Sequence, residues 1–107
     1  MYLLDTNACI RLLNNSSTSL VSQLRQHSPE VIYLSSVVKA ELIYGAYHSQ
    51  QIAANLRILN HFFAPFSSLP FDDHCLEQYG RIRSDLAQAG TPIGPNDLMI
   101  AATAVTH

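Results

Sequence analysis

Three times along this chain a short apolar run gives way to helical spacing, and that rhythm restricts the possible folds more than any other feature. Met1 to Leu4, Val31 to Leu34 and Ser68 to Phe71 read as strands, the second β-branched and aromatic, the third ending irregularly or at an edge because of Pro70. After the first, Asp5-Thr6-Asn7 offers cap chemistry for a helix through Ala8, Cys9, Ile10, Leu12 and Leu13. The polar stretch Asn14-Asn15-Ser16-Ser17 then breaks the pattern, and Leu20, Val21 and Leu24 recur at helical spacing until His27-Ser28-Pro29. After the second strand, Ser35-Ser36 caps a helix from Val37 to about Tyr47, and Ile52, Leu56, Leu59 and Phe63 share one face of a helix over 50–63 that Pro65 closes. After the third, Asp72-Asp73 opens a helix carrying Leu76, Tyr79, Ile82 and Leu86, with Gly90 as its C-cap. The loop from Gly90 to Pro95 leads into a helix from Asn96-Asp97, apolar nearly all round from Leu98 to Val105 and so expected inside the structure.

Strand-helix-helix units return to the sheet through right-handed crossovers, which predicts an α/β fold with a small parallel sheet flanked by helices. A further strand is expected after the last helix, so the domain, residues 1–107, is expected to be incomplete at its C-terminus, with strand(s) missing. One domain is what 107 residues allow.

The composition is 48% hydrophobic and 13% charged with a formal charge of -2, which excludes a disordered chain and points to a sticky surface. Six scattered basic residues form no stripe, so any binding of nucleic acid must depend on a few placed groups or on metal. Cys9 and Cys75 stand apart in apolar helical settings, as buried thiols of a reducing compartment do. With no signal peptide and no apolar run of the ~20 residues that span a membrane, a cytoplasmic protein is expected.

Against that apolar background three acids stand out. Asp5 ends the first strand, Glu41 sits inside Val37-Val38-Lys39-Ala40-Glu41-Leu42-Ile43, and Asp97 opens the last helix. Ligands bind open parallel sheets at the carboxyl ends of the strands, and all three positions can reach one such crest. Gathered there, three carboxylates would repel one another unless a hard divalent cation neutralised them, and oxygen-only ligation favours Mg²⁺ or Mn²⁺ over Zn²⁺. Such a cation polarises phosphoryl oxygens and acidifies bound water, so metal-assisted phosphodiester hydrolysis is the natural chemistry. Capping alone could explain Asp5 and Asp97, but a mid-helix Glu41 has no evident local partner, since Lys39 faces elsewhere. An aspartyl phosphotransferase built on Asp5 is disfavoured because Asn7 stands where a second Asp is wanted.

Leu4-Asp5-Thr6-Asn7, the stretch from Ser35 to Gly45, Leu69-Pro70-Phe71-Asp72, Tyr79-Gly80-Arg81-Ile82-Arg83, and Gly90 to Asp97 followed by Ile100-Ala101-Ala102 resemble, in collinear order, a PIN-domain ribonuclease of the VapC toxin type. The resemblance implies a three-layer PIN-like fold. It also implies an Mg²⁺- or Mn²⁺-dependent endoribonuclease, the toxin half of a VapBC toxin-antitoxin pair, acting on RNA, restrained by a VapB-type antitoxin and commonly a homodimer. By position Asp5, Glu41 and Asp97 match the first three acids of the family as catalytic and metal-binding residues, with Glu41 ligating directly, through water, or holding the nucleophilic water. Family members continue with a strand ending in a Thr-Asn-type turn, a fourth acidic position and a last short strand, none of which this sequence contains. A shortened, inactive domain that binds an antitoxin or a second copy is the alternative that follows.

Thr6 and Asn7 are candidates for supporting the metal ligands or an RNA phosphate, with capping as their ordinary role. Arg83 and Arg11 are candidate phosphate or acidic-partner contacts, whereas Arg81 is bracketed by Glu77 and Asp85 and reads as a solvated ion-pair ladder. Asp72 and Asp73 read as caps, the five histidines show no ligand spacing, and Tyr44, Tyr47 and Tyr79 read as core or interface.

Overall fold

A computed structural model describes residues 2–14 and 18–107. Met1 and the stretch Asn15-Ser16-Ser17, where a strand start and a polar break are expected, lie outside the described residues. Strands β1 (Tyr2–Leu4), β2 (Ile32–Ser35) and β3 (Ser67–Leu69) form one parallel sheet in the order β1-β2-β3. Among the described residues six α-helices follow in pairs: α1 (Thr6–Leu13) and α2 (Thr18–Arg25), α3 (Ser36–Tyr47) and α4 (Ile52–Phe63), α5 (Leu76–Gln88) and α6 (Pro95–Thr106). The expected repeat is present in full.

Local chemistry accounts for most boundaries. Ser35 ends β2 in extended backbone and caps α3, its Oγ accepting the Val38 N–H at 3.0 Å. Asp5 does the same for α1, accepting the Ala8 N–H at 2.7 Å. Gly90 takes a positive φ of 74°, and the return bonds Gly90 N–H to Ala87 O and Thr91 N–H to Leu86 O close α5.

Prolines set three ends differently from expectation. Pro29 starts a 3-10 turn over Pro29–Val31, so β2 begins at Ile32 rather than Val31. Pro70 cannot donate to a ladder, and β3 stops before it. Pro95 fills the first position of α6, two residues ahead of Asp97. Asp72, expected to open α5 directly, instead caps a 3-10 turn over Asp73–Cys75 that leads into it.

The core gathers on the central strand. Ile32 and Leu34, which share one face of β2, are buried with Leu4, Cys9, Val38, Leu42, Ala46 and Leu59, while on its other face Tyr33 is partly and Ser35 fully buried. Cys75, Leu98, Ala102 and Thr103 are also buried, where α6 packs against α5 and the 3-10 turn. The rest of α6 is less enclosed than its composition suggests, since Ala104 and Val105 are exposed. No helix among the described residues is long and apolar enough to cross a membrane.

Candidate functional site

Register brings the strand ends into line. Leu4 pairs with Leu34, and Ser35 with Leu69, so the residues that follow, Asp5, Ser36 and Pro70, emerge at the same carboxyl edge of the sheet. There an open groove of about 700 Å³ is lined by Ser36, Val37, Ala40, Glu41 and Tyr44 of α3, Pro70 and Phe71 after β3, and Asn96 and Met99 of α6. Its walls are largely apolar, with Glu41 as the charged group among them.

Glu41 is half-buried, and its two oxygens are treated differently. The Thr6 hydroxyl donates to Oε2 at 3.2 Å, joining the start of α1 to the middle of α3. Oε1 is fully buried and meets no hydrogen-bond partner among the described residues. A carboxylate oxygen stripped of water and unpaired is costly, of order 1–3 kcal/mol or more for a charged group. Lys39 gives no relief, because its Nζ lies 5.3 Å from the centre of the Phe63 ring. The donor set and the orphaned oxygen fit a hard cation.

Asp5 lies one residue from Thr6 and is exposed; its Oδ1 is committed to the Ala8 N–H. Asp97 is exposed in the first turn of α6, with Oδ2 near Gly94. Its neighbour Asn96 shares the groove with Glu41. Structure therefore ties Asp5 to Glu41 through Thr6 and brings the start of α6 to the groove, without drawing the three carboxylates into one tight cluster. Among the described residues the one group of three ligand-type side chains with atoms within 4.8 Å of each other is Asp72, Cys75 and His107.

Asp72 caps as the sequence suggests, its Oδ1 accepting the His74 N–H at 3.1 Å. Desolvation pushes its carboxyl upward, but the hydrogen bonds and charge of His74, with a contact from Cys75, outweigh that and leave it below the ordinary carboxylate range. Arg81 meets Glu77 at 3.8 Å, both well exposed, as a weak surface pair. Arg83 donates to the Tyr79 hydroxyl at 3.3 Å, beside a smaller pocket of about 310 Å³ between α5 and the loop before α6. Asn7 and Arg11 are exposed on α1, and Tyr44 and Tyr47 are exposed on α3 rather than in the core. Sequence reasoning missed Asn96, Phe71 and Met99 as groove walls, since nothing local distinguishes them from core or cap residues.

Cys9, one turn beyond Asp5, is fully buried. Burial and then the charge of Asp5 push its thiol up to about 12 from an ordinary 9.0. The folded chain thus keeps the thiol protonated where the unfolded chain ionises, so this contribution to stability is intact below pH 9 and is lost as pH rises towards 12. Denaturation midpoints of the parent should fall across that window more steeply than those of Cys9→Ala. Equal slopes would show that Cys9 titrates freely.

Comparison with known proteins places these features in a family. The PIN domain profile matches residues 2–107. The tRNA(fMet)-specific endonuclease VapC of Shigella flexneri is 37% identical over 103 residues, 96% of this chain and 77% of that protein. Ribonuclease VapC2 of Rickettsia felis is 36% identical over 108 residues, covering 100% of this chain and 81% of its own. Among solved structures, VapBC2 of Rickettsia felis bound to a promoter DNA fragment matches with a TM-score of 0.91 at 35% identity, over 98% of this chain and 80% of that one. DNA-bound VapBC of Salmonella typhimurium matches at 0.90 and 34%, over 98% and 79%.

Proposed function

The chain belongs to the PIN-domain family, and we propose that it is a divalent-metal-dependent endoribonuclease, the toxin of a VapBC-type pair, with Asp5, Glu41 and Asp97 as its working acids. The observation that carries this reading is Glu41, which lines an open groove and whose buried Oε1 has no partner among the described residues. Relatives named as ribonucleases and as tRNA(fMet)-specific endonucleases support RNA as the substrate and make tRNA the first one to try. The VapBC assemblies support an antitoxin partner, and the exposed Tyr47 at the end of α3, outside the groove lining, supports a homodimer.

The groups available are all oxygens. Asp5 and Asp97, exposed at the strand end and helix start, would hold Mg²⁺ or Mn²⁺ directly, with Glu41 contributing through Oε1 or through a water. Bound there, the cation would neutralise phosphate charge and acidify a water. The chain's own residues supply the orientation. Thr6 holds the Glu41 carboxylate by Oε2 and so leaves Oε1 as the acceptor that can hold a water or its proton. The Ala8 amide fixes Asp5 by Oδ1 and leaves its other oxygen for the ion. Apolar walls from Val37, Ala40, Phe71 and Met99 limit water around Glu41, which strengthens every charge interaction there. Arg83, Arg11 and Asn7 are the proposed contacts to RNA phosphates, at the periphery and few in number, which suits a chain with a charge of -2.

Purified chain incubated with tRNA should cut it in Mn²⁺ or Mg²⁺, stop when the metal is chelated, and resume when Mn²⁺ is restored. Cleavage indifferent to chelation would sink the metal assignment, and metal-replete folded chain that cuts no RNA would sink the nuclease.

A further inference from the structure

Behind the groove wall formed by Pro70 and Phe71, three side chains of quite different chemistry meet. Asp72 caps the 3-10 turn, Cys75 ends it, and His107 follows the last turn of α6, which packs on that turn. One ligand-type atom of each lies within 4.8 Å of the other two. Cys75 is fully buried, Asp72 is half-buried and His107 is exposed, so the group is anchored in the interior and open to solvent on one side. The Cys75 thiol is already aimed at oxygen, with Sγ 3.7 Å from both Asp72 Oδ1 and the Pro70 carbonyl. Capping explains Asp72 and core filling explains Cys75. Neither role calls for a histidine at the same point.

We propose that Asp72, Cys75 and His107 form a zinc site, separate from the acid groove in both ligands and metal preference. Thiolate, imidazole and carboxylate together are the donor mix that zinc takes, whereas the groove offers oxygen alone and suits harder ions. Three protein ligands leave a fourth tetrahedral position for water or for His74, whose Nδ1 lies 3.5 Å from Asp72 Oδ1. On binding, the Cys75 thiol gives its proton to solvent, so affinity rises with pH. The ion would tie the end of α6 to the turn from which α5 departs. It would thereby brace the helix whose first turn carries Asp97.

Co²⁺ is the probe, because thiolate ligation gives it an intense near-ultraviolet charge-transfer band that oxygen ligands cannot produce. Titration of the purified chain should raise that band to one equivalent, and Zn²⁺ should displace it. Cys75→Ala should abolish it, and His107→Ala, which removes only an exposed side chain, should weaken it sharply while the circular dichroism stays that of the folded chain. Asp5→Asn and Cys9→Ala should leave it unchanged, which separates this site from the nuclease metal whatever the fate of that assignment. A folded parent without the band would overturn the site. So would a band that survives Cys75→Ala or is undiminished in His107→Ala.

Discussion

Glu41→Gln should cut RNA at least about a hundredfold more slowly than the parent and, with metal removed, be more stable by about 1–2 kcal/mol. The two effects have one origin. Glu41 Oε1 is buried and unpartnered, so the metal-free fold bears the cost of a desolvated, uncompensated carboxylate oxygen. Glutamine is nearly the same size and can still accept the Thr6 hydroxyl bond now made at 3.2 Å. Its neutral amide costs less to bury than the charge it replaces, which is the source of the gain. The same neutrality removes a ligand or water-holding oxygen, which is the source of the loss. Denaturant midpoints in chelator, set beside single-turnover cleavage in Mn²⁺, measure both. If the variant cleaves at the parental rate, Glu41 is not part of the site; if it is less stable without metal, its carboxylate has a partner that the structure does not show. Thr6→Val separates positioning from ligation, since it frees Glu41 while leaving the charge in place. It should lower cleavage by about tenfold, less than Glu41→Gln.

That pair of residues also marks the limit of what the sequence discloses. Strand ends, caps and helix starts are written locally, so Asp5 after β1, Ser35 before α3 and Gly90 after α5 all stand where the residues alone suggest. The departures are local too and trace to proline: Pro29 takes Val31 out of β2, and Pro70 shortens β3. Contacts between distant elements are another matter. The Thr6–Glu41 bond joins residues 35 positions apart, and only the parallel register and the packing of α1 on α3 bring them together. Tyr44, apolar enough to read as core or interface, lines the groove at 67% exposure because α3 turns that side outward. His107 meets Cys75 for a similar reason: α6 folds back on the 3-10 turn, and no spacing in the sequence announces it.

Leu34→Ala should lower the unfolding free energy by about 3–5 kcal/mol, a large share of the roughly 5–15 kcal/mol available to a domain of this size. Leu34 is fully buried at the centre of the sheet, paired with Leu4 on one side and Ser68 on the other. Cys9, Val38, Leu42 and Leu59 belong to the same buried cluster, so the helices that carry them would have to move inward to fill the space its side chain leaves. Strands of three or four residues resist such collapse, because a shift of β2 would break ladders on both sides at once. Urea denaturation should show the midpoint falling with little change in slope. The functional consequence distinguishes this variant from Glu41→Gln. Leu34 is not among the residues that line the groove, so the folded fraction of Leu34→Ala should still cleave RNA, and activity should fall in step with the unfolded population as temperature rises. Loss of cleavage in fully folded Leu34→Ala would mean that the strand ends move when the core yields, and that the alignment of Asp5 with α3 depends on the packing beneath it.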